Sequence, residues 1–121
     1  MKSPLSVELK IACEIYRCNK KDITCTTPYL IKKFELYGID IKRTQAAIDT
    51  LFDWSMLKCE WCNENRTYFI PSGVKSTIKS MYKRYWKEER KYYNVISKDA
   101  VDNVKKCFNF KAGSPLAQAR G

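Results

Sequence analysis

The stretch from Asp40 to Trp54, read as IDIKRTQAAIDTLFDW when Ile39 is included, limits the fold more than any other part of the chain. Asp40 is a good helix N-cap, its short carboxylate able to accept from the free amides of the first turn. Thr44, Ala47, Ile48 and Leu51 follow at i, i+3, i+4 and i+7, the signature of one buried stripe. Lys42, Gln45, Ala46 and Asp49 repeat at the same spacing on another face, with Arg43 and Thr50 at its margins. Long hydrogen-bonding side chains around a small Ala suit a helix that approaches the DNA major groove closely and reaches base edges and phosphates. An ordinary amphipathic surface helix carries the same pattern, so the flanking segments must decide.

Upstream, Ser3-Pro4 reads as a cap followed by proline in the first helical turn. Leu5, Leu9, Ala12 and Tyr16, broadened by Ile11 and Ile15, predict a helix from about Pro4 to Cys18. Asn19-Lys20-Lys21-Asp22 is a polar turn, and Ile23-Thr24-Cys25 is apolar and β-branched enough for a stub of strand. Thr27-Pro28 repeats the cap-and-proline signal, and Leu30, Phe34 and Tyr37 keep helical spacing. Gly38 then suits the left-handed residue that ends a helix. A second, short helix joined to the 41–54 helix by a tight glycine-containing turn is the helix-turn-helix arrangement.

Downstream, Leu57-Lys58-Cys59-Glu60-Trp61 alternates apolar and polar, as a half-buried strand does. Asn63-Glu64-Asn65 supplies turn residues, and Arg66-Thr67-Tyr68-Phe69-Ile70 predicts a returning strand. Pro71-Ser72-Gly73 ends it and opens another helix. The expected fold class is therefore mainly α with a small β-hairpin (α+β).

Over about residues 4 to 85 this order resembles the winged helix-turn-helix superfamily of DNA-binding transcriptional regulators. GIDIKRTQAAIDTLFDWSMLK matches turn, recognition helix and first wing strand, and YFIPSG matches the passage from wing to helix. Tyr68, Ile70 and Gly73 stand where that superfamily has a Tyr-x-Leu-Thr-like segment with a glycine soon after. Pro71 and the pair Trp54-Ser55 depart from its usual residues and leave the subfamily open. The resemblance implies sequence-specific binding of double-stranded DNA. The 41–54 helix would read the major groove, and the 57–70 wing would touch backbone or minor groove. The expected contact residues are Lys42, Arg43, Gln45, Ala46, Asp49, Thr50, Asn63, Asn65 and Arg66. The alternative is a winged-helix protein-interaction or replication-associated module without sequence readout.

From Ser72 a long helix is expected. Val74, Ile78, Met81, Tyr85, Glu88, Tyr92 and Val95 make a heptad-like seam, interrupted only by Glu88. Lys75, Lys79, Lys83, Arg84, Lys87, Arg90 and Lys91 occupy other faces, interleaved with Tyr82, Trp86 and Tyr93. Such a mixture serves phosphate pairing and base stacking, or simply keeps a long exposed helix in solution. Ser97 caps a short terminal helix with Asp99 and Asp102 early, Lys105 and Lys106 late, and Val101, Val104 and Phe108 as its stripe. The expected division is a winged-helix core over 1–72, C-terminal helices over 73–111 that join two copies as a homodimer, and a disordered tail over 112–121.

The formal charge of +10 favours a polyanionic partner. No apolar run approaches the ~18 residues of a membrane span, and MKSPLSVELK lacks a signal-peptide core. A cytoplasmic, nucleoid-associated protein without membrane contact is expected. The six cysteines read as small buried apolar residues rather than disulfides. Only Cys59 and Cys62 have metal-like spacing, with no second close pair and no histidine to complete a site, so neither metal nor cofactor is expected. Without histidine, a phosphate-binding glycine loop or a nucleophile elbow, the chain is not expected to be an enzyme.

Overall fold

The computed structural model describes residues 4–62 and 64–94. Outside them lie the expected Ser3 cap, the site residue Asn63, Val95, the helix proposed from Ser97 to Phe108, Cys107 and the 112–121 tail. The chain divides into two compact units, one ending at Arg90 and one beginning at Lys91. The first unit thus takes in residues beyond the 1–72 expected for the core. The described part of the second, 91–94, is helical.

Among the described residues the fold is mainly helical with one small antiparallel sheet, in the order α1 (Val7–Lys20), α2 (Thr27–Leu36), α3 (Ile41–Asp53), β1 (Lys58–Cys62), β2 (Asn65–Phe69) and α4 (Ser72–Met81). A π-helical turn, Tyr82–Trp86, continues α4, and 87–90 resume α-helix. α3 and α4 each pack on α1, which is buried without a break from Lys10 to Cys18, as only a central helix is.

Local chemistry sets the boundaries. The caps of α1 and α2 are Ser6 and Thr26, one to three residues from the expected Ser3 and Thr27; their hydroxyls accept from the amides of Leu9 and Tyr29. Asp40 caps α3 as expected, accepting from the Arg43 amide at 2.7 Å. All three helices end alike. The amide two residues past the cap donates back to the helix: Ile23 to Cys18 O at 2.9 Å, Ile39 to Phe34 O at 2.8 Å, Met56 to Leu51 O at 2.9 Å. The residue between is left-handed in each case: Asp22 (φ 55°), Gly38 (φ 88°) and Ser55 (φ 58°). Gly38 was the readable member of the set. Asp22 and Ser55 adopt the same backbone against their Cβ.

β1 and β2 pair with Trp61 opposite Arg66 and Cys59 opposite Tyr68. In place of the strand expected at Ile23-Thr24-Cys25 there is a single bridge one residue on, Thr26 to Thr67, beside an amide of Tyr68 that donates to Cys25 O at 2.9 Å. Asn19 fastens the hairpin base to α1, its side chain donating to Tyr68 O and accepting from the Ile70 amide, both at 3.1 Å.

A polar cluster is buried within the apolar core. Glu14 is wholly buried and accepts from Arg17 at 3.0 Å, Tyr29 OH at 2.8 Å, Trp86 Nε1 at 3.0 Å and Arg90 Nε at 2.9 Å. Burial by itself would raise the Glu14 carboxyl. The Arg17 and Trp86 hydrogen bonds and the charges of Arg17 and Arg90 outweigh it and hold the carboxyl below the usual range. Lys10 and Glu89 form a second buried pair at 2.8 Å. Trp86 also stacks on Phe34 at 5.8 Å and meets the edge of Tyr37 at 5.9 Å. Cys13, Cys18 and Cys25 are buried as expected, and burial pushes the Cys13 thiol up to about 12. Cys59 departs from that reading and is exposed.

The seam expected along the last helix needs correction beyond Met81. Lys87 donates its amide five residues back to Tyr82 O, so the π turn holds one residue more than an α-helix would. In a regular helix Ile78 and Trp86 would lie about 80° apart; one extra residue takes back about 100° and returns them to one face. Trp86 and Glu89 are therefore buried in place of Tyr85 and Glu88, a shift of one position. A heptad reading assumes constant pitch and cannot register that step.

Candidate nucleic-acid interface

The outward face of α3 is set by its inward one. Thr44, Ala47, Ile48 and Leu51 are the buried residues of this helix, as the spacing predicts. Lys42, Gln45, Ala46 and Asp49 are consequently exposed and Thr50 is half-buried. The Thr50 hydroxyl is occupied within the helix, donating to Ala46 O at 2.9 Å.

Arg43 is exposed, but its guanidinium is held by Glu8 of α1 at 2.8 Å rather than pointing outward alone. The Arg43 hydrogen bond keeps the Glu8 carboxyl below its usual range.

The hairpin forms the second wall. Alternate strand residues share a face, so Cys59, Trp61, Arg66 and Tyr68 lie on one side of the ribbon. That side is the one turned inward at its base, where Tyr68 is buried against Phe52 with ring centres 5.9 Å apart. Toward the tip the same side overhangs α3. Between them lies an open cleft of about 390 Å³ lined by Gln45, Asp49, Trp61, Glu64, Asn65 and Arg66, with Ile48, Thr27 and Tyr68 below. Thr27 Oγ1 and the Tyr68 hydroxyl close its floor at 2.6 Å. Arg66 lies over the Trp61 ring at 5.7 Å, and Trp61 is 68% exposed.

Of the residues expected to make contact, Gln45, Asp49, Asn65 and Arg66 meet at this cleft, and Lys42 and Ala46 lie on the adjoining open face. Trp61, Glu64 and Thr27 join them without having been expected. The signal for Trp61 was present, since the alternation Leu57, Cys59, Trp61 places it on the side of the ribbon that faces the helix.

Chemically the cleft offers amide and carboxylate groups to read hydrogen-bonding edges, and a flat ring-and-guanidinium surface to pack on a sugar or base. Its lining sets one cation, Arg66, against two carboxylates, Asp49 and Glu64, and Lys42 on the adjoining face makes up the difference. Comparison with family models, with curated proteins and with solved structures finds no match for this chain.

Proposed function

We propose that this chain is a winged helix-turn-helix protein that binds double-stranded DNA sequence-specifically and acts as a transcriptional regulator. α2, the Gly38 turn and α3 are the helix-turn-helix, and the β1–β2 hairpin is the wing. The observation that carries the reading is the rotation of α3. Its buried stripe leaves Gln45, Ala46 and Asp49 facing outward beside the hairpin tip. A helix so placed can enter the major groove while the adjoining strand of phosphates runs past Arg66 and Asn65. Gln45 can take adenine in a bidentate contact, and Asp49 can accept from cytosine N4. Association of two copies through the C-terminal helices, 73–111, belongs to this proposal, because it would present two such helices to a two-fold operator.

Fluorescence anisotropy on a selected and a random duplex tests it. Gln45→Ala should lower the preference for the selected duplex by about 1–3 kcal/mol. Arg66→Ala should weaken both duplexes alike and flatten the salt dependence by about one unit of slope. A Gln45→Ala protein that keeps the full preference contradicts the assignment of α3 as reading helix. The exposed Trp61 beside Asp49 and Glu64 also suits a basic peptide, so a cleft that binds peptides and ignores duplex would favour the protein-interaction reading.

A further inference from the structure

The cleft at α3 does not account for the +10 charge, because its own charges nearly cancel. Half of that charge lies on the helix of α4 and the π turn, where residues 72–87 hold Lys75, Lys79, Lys83, Arg84 and Lys87 and no acidic residue. Lys75, Lys79, Lys83 and Lys87 are all exposed, and among the described residues none of the four has a salt-bridge partner.

In a regular helix residues four apart precess by about 40° per step, so Lys87 would stand about 120° around from Lys75. The extra residue of the π turn takes back about 100° of this. The same insertion that brings Trp86 to Glu14 thus swings Lys87 back to within about 20° of Lys75, so the four lysines share one side of the helix over about 18 Å, equal to roughly five base-pair steps. Beside them run Ser76, Ser80 and Arg84, which with Thr77, Met81 and Tyr85 line a shallow depression of about 380 Å³. Ammonium groups flanking hydroxyls and a guanidinium are phosphate-contacting chemistry, with nothing arranged to read a base edge.

We propose that this face is a second nucleic-acid surface, one that grips the phosphate backbone of a duplex irrespective of sequence. A membrane surface fits less well: it calls for a broad apolar stripe beside the cations, and this face offers only Tyr85, 37% exposed, and a half-buried Met81. The proposal stands apart from the reading of α3, since the two surfaces lie on different helices and share no residue.

The test uses the full chain with the α3 side disabled by Gln45→Ala and Arg66→Ala. That protein should still bind a duplex of any sequence, with a plot of log K against log salt of slope near −3.6, about 0.9 for each of four phosphate contacts. Adding Lys→Gln at 75, 79, 83 and 87 should lower this residual affinity at least tenfold at low salt. The corresponding four Lys→Arg changes should preserve it, which separates charge from any effect on the helix. Unchanged affinity and slope in the glutamine variant would overturn the proposal, and so would a loss confined to vesicles containing phosphatidylserine. A wild type with no sequence preference, whose binding nonetheless falls with the lysines, would remove the α3 reading and leave this one standing.

Discussion

A carboxylate taken wholly out of water costs several kcal/mol unless its charge is met and its lone pairs are filled. At Glu14 both conditions hold, through Arg17 and Arg90 on one side and Trp86 and Tyr29 on the other. Removing the charge strands two arginines, so Glu14→Gln should destabilise the fold by about 3–5 kcal/mol in urea unfolding. The pH dependence follows from the depressed carboxyl. Its contribution is fully present above the usual 4.5 and is lost as pH falls from there through the lower folded-state value. Wild-type stability should therefore drop steeply on the acid side of 4.5, and Glu14→Gln should flatten that limb. An acid limb of equal steepness in both proteins would contradict the assignment. Lys10, Glu14 and Arg17 follow at i, i+4 and i+7, a stripe visible in the sequence. It looks like a solvated face until Trp86, Glu89 and Arg90 are brought against it by contacts no local pattern encodes. Arg43 has the same lesson at the candidate site: its position on α3 was readable, while its capture by Glu8 was not.

Elements with their own punctuation were legible. Asp40 and Gly38 bound α3 and its turn, and the alternation from Leu57 to Trp61 and from Arg66 to Ile70 marks the hairpin to within a residue or so. The caps at Ser6 and Thr26 were missed in favour of Ser3 and Thr27, because each end offers two nearby hydroxyl residues and only the bond geometry chooses between them. The π turn was invisible to periodicity, since an inserted residue looks like any other until the register beyond it is known. Its role can be tested by length alone. Deleting exposed Lys83 should convert the turn to regular α-helix, leaving Ile78 and Trp86 seven apart and still on one face. That protein should fold, with near-UV circular dichroism like the wild type. Inserting Ala after Lys79 should instead swing Trp86 about 100° away from Glu14 and cost more than about 4 kcal/mol. Equal damage from deletion and insertion would contradict the one-residue account.

For the molecule as a whole, the α+β class was legible because each element carries its own signal, and among the described residues no helix is long and apolar enough to cross a membrane. The basic residues of the last helix were legible one by one, but the side they share was not, because the π turn sets it. Net charge is a sum, and in three dimensions the face with the best reading geometry is nearly neutral while the lysines follow a different helix. Under the proposed function the α3 face supplies discrimination more than affinity, so binding strength alone is a poor probe of the central claim. Selection of bound duplexes from a random-sequence library, with the full chain at physiological salt, measures discrimination directly. The account predicts an enriched motif in two inverted half-sites, 34–36 Å or a multiple apart between centres, that is lost with Gln45→Ala. A library that emerges as random as it entered, from a protein that binds duplex throughout, would contradict it.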